Sequence, residues 1–355
     1  MPFQIIRGDI TKVKADAIVN TANPMPVFAA GTDRAIYQAA GAEELLAARR
    51  RIGQIHTGQA AYTPAFGLAA KYIIHTVGPA WMGGNKGEFE ELRSCYDHSL
   101  RLAAELGCES IAFPLIATGV YGFPRDRALS IALGSFADFL AGHEMDVTLV
   151  VFDRASFEVS ENVFREISAF IDDSEVGRVC EQEYGTAFPE PFTPRRGQAA
   201  APKAPPMAAF SAPVRFGAIP KLCAETVDGL DDEEAVEALL TKQSDTFQKR
   251  LLSLIDQSGM TDPQVYKRAN IDRKHFSKIR CNPDYQPKKK TALAFAVALR
   301  LDMEQTRDLL ARAGYSLTDA SRFDLIVMYY IGKKNFDIYE INATLFHFQQ
   351  DGLGA

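Results

Sequence analysis

Asn20, Asn23 and Asp33 lie in one stretch, NTANPMPVFAAGTDRAIYQAAG, that runs from Asn20 to Gly41. Two asparagines, a turn of small residues and an aspartate opening a helix-like run suit a loop wrapped around phosphate groups. The run AAGTD leads into that helix, whose first amides and dipole favour anions. Phosphate loops usually depend on glycine, yet Phe28, Ala29 and Ala30 precede the only glycine of the turn, Gly31. Three further segments carry candidate chemistry. Asp9 in GDIT can accept hydrogen bonds from an exocyclic amino group, or can cap the next helix. Thr118, Gly119, Val120, Tyr121 and Gly122 offer small residues and backbone N–H groups for close approach to phosphate oxygens. Phe152 can stack on a base or fill the core.

The elements that must position these residues alternate between strand and helix over about the first 170 residues, as in α/β proteins. Phe3–Arg7, Ala17–Thr21, Gly58–Thr63, Lys71–Val77, Ser110–Ile116 and Val147–Phe152 read as strands. Thr32–Ala40, Glu43–Ile52, Phe89–Leu106, Arg125–Leu140 and Ser156–Ile171 read as helices. Strands that are apolar throughout predict a sheet covered on both faces. Ligands on such sheets bind beyond the carboxyl ends of strands, and each candidate segment follows one.

The 355 residues suffice for two domains, and a hydrophobic content of 47% supports a sizeable core. The formal charge of −6 gives the whole chain no reason to bind nucleic acid. Five scattered cysteines without C-x-x-C spacing support neither zinc nor a disulfide framework. His56 and His75 stand alone, and His75 within YIIHTV reads as a satisfied strand histidine. No metal and no cofactor is expected. Without a leader-like segment or a long apolar run, a soluble cytoplasmic protein with no membrane contact is expected.

Five blocks in order, GDIT, AIVNTAN, GTDRAIYQAAG, GQAAYTPAFGLAAKYIIHTVGPAW and FPLIATGVYGFP, resemble the macrodomain, and within it the MacroD-type, Appr-1"-p-processing branch. The likeness covers about residues 1–171. It implies a three-layer α/β fold with a mixed central sheet that binds ADP-ribose. By position it implies that Asp9 holds the adenine amino group, with Ile10 beside it and Phe152 stacked on the ring. Thr118, Gly119, Val120 and Tyr121 would form the second phosphate loop. Ala22, Asn23, Ala29, Ala30, Gly31 and Thr32 would enclose the distal ribose and diphosphate. In hydrolytic members, the residues matching Asn23 and Asp33 serve the reaction. The amide can hold ribose hydroxyls in register, and the carboxylate can accept a hydrogen bond from water or a hydroxyl. Two functions follow from the resemblance. One is a hydrolase of ester-linked mono-ADP-ribosyl groups or O-acetyl-ADP-ribose. The other is a non-catalytic reader of ADP-ribose or a related nucleotide, coupled to a helical DNA- or protein-binding domain. Phe28, Ala29 and Ala30 stand where the family has glycines, and Tyr37 replaces a common histidine.

From Phe188 to Pro220 proline, alanine and glycine dominate, which predicts a linker. The expected division is 1–172, a linker at 173–229 and an all-helical domain at 230–355. Lys242 to Arg312 holds fifteen Lys/Arg against eight Asp/Glu, so this part is +7 and the rest −13. Such asymmetry is a footprint of nucleic-acid binding. Around 250–313 the helices resemble the Cro/repressor-type helix-turn-helix. That resemblance sets Arg273, Lys274, His275 and Lys278 on a recognition helix. Asn270 departs from the glycine common in its turn. A protein- or ligand-sensing role and a structural role fit the same helices.

Overall fold

The computed structural model describes residues 2–28, 30–152, 166–171 and 245–354. The expected linker, the start of the expected helical domain, most of the helix expected at Ser156–Ile171 and Ala29 lie outside the described residues; 166–171 is helical.

The first part runs β1 (Phe3–Arg7), a 3-10 turn (Ile10–Lys12), β2 (Ala17–Thr21), α1 (Thr32–Ala40), α2 (Ala42–Ile52), β3 (Ala60–Pro64) and β4 (Tyr72–Thr76), followed by α3 (Glu88–Glu105), β5 (Ser110–Pro114), α4 (Arg125–Gly142) and β6 (Asp146–Val151). The six strands form one sheet in the order β1-β6-β5-β2-β4-β3. All neighbours are parallel except β3, which runs antiparallel to β4. The sheet is therefore mixed.

Strand alternation explains the layers. Ala17 and Val19 join Ile111, Phe113, Val147 and Leu149 in a core shared with α3 and α4. Ile18, Ala112 and Val150 point the other way, into a core shared with α1 and α2. Both faces need apolar residues, so the strands carry continuous apolar runs. The fold is three-layered α/β.

The later helices are α5 (Phe247–Ser258), α6 (Asp262–Arg268), α7 (Arg273–Cys281), α8 (Lys289–Ala298), α9 (Met303–Arg312), α10 (Arg322–Gly332) and α11 (Ile338–His347). Every residue of α8 from Thr291 to Ala298 is buried, so the others pack around it. Apart from α8, their starts are capped by side chains. Thr261 and Gln264 form a capping box, with Thr261 N–H donating to Gln264 Oε1 at 2.9 Å. Among the described residues, no helix is long and apolar enough to cross a membrane.

Met1–Arg178 and Thr246–Ala355 make one compact unit. Asn270 is fully buried and left-handed, at φ +53°, a conformation asparagine tolerates. Its amide pairs with the edge strand β1 in both directions. Phe3 N–H donates to Asn270 Oδ1 at 2.9 Å, and Asn270 Nδ2 donates to Phe3 O at 2.9 Å. Beside it, Tyr339 of α11 packs on Phe3 with ring centroids 5.3 Å apart. Tyr266 Oη donates to Glu144 Oε1 at 2.6 Å, fixing α6 at the end of α4.

Candidate functional site

A cleft of about 530 Å³ opens beyond the carboxyl ends of β1, β6, β5 and β2. One end is set by β1 and β6. Asp9 Oδ1 accepts from Thr11 N–H at 2.9 Å and from Thr11 Oγ1 at 2.8 Å. The cap fixes the carboxylate, and neither bond uses Oδ2. Ile10 and Phe152 lie beside it. Phe152 is 76% exposed, so it serves the cleft's lip rather than the core.

The loop after β5 forms one wall. Ala117 has φ +63°, a left-handed conformation that costs a non-glycine residue about 1 kcal/mol. Its approach to the neighbouring chain requires Gly78, where a Cβ would lie 2.9 Å from Ala117 Cβ. Thr118 Oγ1 donates to Leu115 O at 3.0 Å, and Trp81 N–H donates to Tyr121 O at 2.8 Å. Thr118, Gly119, Val120 and Tyr121 all face the cleft. Arg125, which opens α4, faces it too. A cation there gains nothing from the helix dipole.

The opposite wall is the loop that follows β2. Buried Arg49 braces it from α2: Nη2 donates to Asn23 O at 3.1 Å and Pro24 O at 3.2 Å, and Nη1 donates to Gly53 O. Asn23 Nδ2 donates to Val27 O at 3.2 Å. Gly31 has φ +68° and ψ −138°, which only glycine adopts readily. No side chain caps α1. Ala22, Asn23, Ala30, Gly31 and Thr32 line the cleft. Phe28 stands partly exposed and stacks on buried Tyr37 at 5.1 Å between centroids. Burial, then Asp33, pushes the Tyr37 hydroxyl up to about 12.

The structure thus gathers Asp9, Ile10, both loops and Phe152 around one cleft. Asp33 takes a different place. It is 2% exposed, does not line the cleft, and accepts from Asn20 Nδ2 at 2.7 Å. Arg273, Lys274 and Lys278 are exposed on α7, in the helical region, while His275 is half-buried against Tyr285 Oη at 2.7 Å. Sequence reasoning missed Arg125, and missed Asn20 and His75 as neighbours of Asp33. A signal for the last two existed: each is a polar residue at a buried position of a parallel strand, and the two are register partners.

The macro domain family model matches residues 19–132. A macro domain-containing protein of Caldanaerobacter subterraneus is 44% identical over 169 residues, 46% of this chain and 97% of that protein. The chain belongs to the macrodomain family. The O-acetyl-ADP-ribose deacetylase of Escherichia coli K12 is 41% identical over 46% of this chain and 96% of its own length. The Oceanobacillus iheyensis macrodomain with ADP is 38% identical over 43% of this chain and 85% of that one, with a TM-score of 0.42. The macrodomain match leaves the helices α5 to α11 outside the family model.

Proposed function

We propose that this macrodomain binds ADP-ribose and hydrolyses ester-linked mono-ADP-ribosyl groups or O-acetyl-ADP-ribose. The observation that carries the reading is the cleft. An aligned carboxylate and an exposed aromatic ring mark one end, two backbone-rich loops form the middle, and Asn23 lies at the other. Adenine fits beside Phe152 with its amino group toward Asp9 Oδ2. The diphosphate lies between the loops, near Arg125 and the uncapped start of α1. The distal ribose reaches Asn23, which orients its hydroxyls. Asp33 serves as the acceptor for the attacking water or a ribose hydroxyl once the loop yields. The name of the Escherichia coli relative supports hydrolysis of the acetyl ester.

Calorimetry with ADP-ribose tests the binding step, and no heat at millimolar ligand ends it. For chemistry, Asp33→Ala should lower release of ADP-ribose from a glutamate-linked substrate by about 100-fold or more while binding persists. Equal rates for both proteins end the hydrolase reading. A non-catalytic reader is the second reading, favoured by the burial of Asp33 and the stacking of Phe28 on Tyr37.

Exposed Arg273, Lys274 and Lys278 support a further role for the helical region as a surface that contacts DNA or an acidic protein. A DNA mobility shift that ignores Lys274→Ala and vanishes at moderate salt argues against specific recognition.

A further inference from the structure

Beneath the start of α1 runs a chain of buried polar groups. Asn20 on β2 and His75 on β4 are both fully buried. Asn20 Nδ2 lies 2.7 Å from Asp33 Oδ1 and 3.2 Å from His75 Nδ1. His75 Nε2 lies 3.0 Å from Thr63 Oγ1 on β3.

The directions follow from what each group can do. A carboxylate only accepts, so the amide nitrogen must face Asp33. The second amide N–H then points at His75 Nδ1, which must be the bare nitrogen. The imidazole proton therefore sits on Nε2 and goes to the Thr63 hydroxyl. A reversed amide would set oxygen against oxygen at Asp33. Among the described residues Asn20 Oδ1 has no partner. An unpaired buried acceptor carries a cost, so the two donated bonds fix the amide.

We propose that His75 is a positioning residue for Asp33: its bare Nδ1 locks the Asn20 amide so that Asn20 donates to the carboxylate at the start of α1. The proposal rests on the hydrolase reading, in which Asp33 acts on the substrate. Burial supports it. First burial and then Arg49 push His75 down to about 3, so the ring stays neutral. A protonated ring would turn an N–H against the amide N–H and break the chain. Tyr37 on α1, Arg49 on α2 and Tyr121 from the loop after β5 also interact electrostatically with Asp33. Burial and Asp33 raise both tyrosines, which stay neutral, and Arg49 supplies a constant positive charge. His75 is the member of this set whose ordinary range is near neutrality, and burial has removed it from that range.

The test compares wild type, Asp33→Ala, His75→Leu and His75→Gln in release of ADP-ribose from a glutamate-linked substrate. Calorimetry with ADP-ribose, thermal melts and a 15N spectrum of the wild-type imidazole accompany it. His75→Leu is expected to lower kcat by about tenfold or more, the loss of one oriented bond to a charged group, with KM and ADP-ribose affinity within about twofold. Glutamine can accept from Asn20 through Oε1 and donate to Thr63 through Nε2, so His75→Gln is expected to keep kcat within about threefold. The spectrum is expected to place the proton on Nε2. A folded His75→Leu with wild-type kcat, beside an inactive Asp33→Ala, overturns the proposal, as does a proton on Nδ1. If His75→Leu does not fold, His75→Gln decides: a loss of about tenfold or more overturns the proposal. If Asp33→Ala turns over like wild type, the hydrolase reading fails, and the imidazole spectrum alone decides the orientation.

Discussion

Burial sets the protonation of His75 before any neighbour does. Its folded value, about 3, lies well below the ordinary 6.5. Between those limits the unfolded chain binds the extra proton, so stability falls as pH drops through that window, by up to about 1.4 kcal/mol per unit. Replacing His75 by glutamine should flatten that slope in thermal melts taken across the window; an unchanged slope would remove His75 as its source. The loop residues make a separate prediction. Gly31 already provides the positive φ of the turn. If the methyls of Ala29 and Ala30 crowd the distal ribose, the double change Ala29→Gly/Ala30→Gly raises turnover severalfold. Turnover that does not change would place the restriction in Phe28. Asp9 was legible in the sequence because a lone acid after a strand has few uses, and it both caps and faces the cleft. Phe152 was ambiguous, because an aromatic at a strand end reads as core until the sheet's neighbours are known. The burial of Asp33 was not legible at all. It depends on Asn20, thirteen residues away, and through it on His75, a further contact across the sheet.

Strands and helices obey local pattern, and most of them were readable for that reason. The apolar run of β2 and the spacing of Leu92, Tyr96 and Leu100 in α3 show themselves without tertiary context. The turn between α6 and α7 does not. Asn270 looked like a departure from a helix-turn-helix glycine. Its partner explains it: glycine would keep the left-handed backbone but has no amide to pair with β1. Asn270→Ala should therefore lose about 3–4 kcal/mol by denaturant unfolding, from unpaired backbone groups and left-handed strain together. Asn270→Gly should lose about 1 kcal/mol less, since it relieves only the strain. Equal losses would mean that φ plays no part. The loop before α3 gives an acid-side counterpart. Glu88 accepts from the N–H groups of Met82, Gly84 and Lys86. Burial would raise its carboxyl, but these bonds prevail and hold it down to about 2. Its stabilisation is complete above the ordinary 4.5 and fades as pH falls toward 2. Glu88→Gln should lower the melting temperature more at neutral pH than at pH values near 3.

At the scale of the molecule, the acidic N-terminal part and the basic helices share one compact unit. Phe3 packs against Tyr339 and bonds to Asn270, so the sheet edge and the helices should unfold together. Calorimetry should show one transition, and ADP-ribose at 100 times its Kd should stabilise that whole transition by about 2.7 kcal/mol. Two transitions, only one moved by ligand, would show that the parts unfold separately. The sequence hinted at two parts through its charge split. It could not show their joint, because no pattern links residues so far apart.

That joint has a consequence for synthesis. Phe3 and its partner Asn270 are 267 residues apart. β1 joins the sheet through β6, which ends at Val151, and at about 5–20 residues per second the ribosome takes roughly 6 to 24 s from there to Asn270. Through that interval the nascent chain holds a sheet with one edge bare, the kind of surface on which strands of other chains add. A synonymous-codon change that slows translation between β6 and α6 lengthens this window without altering a single residue of the finished protein.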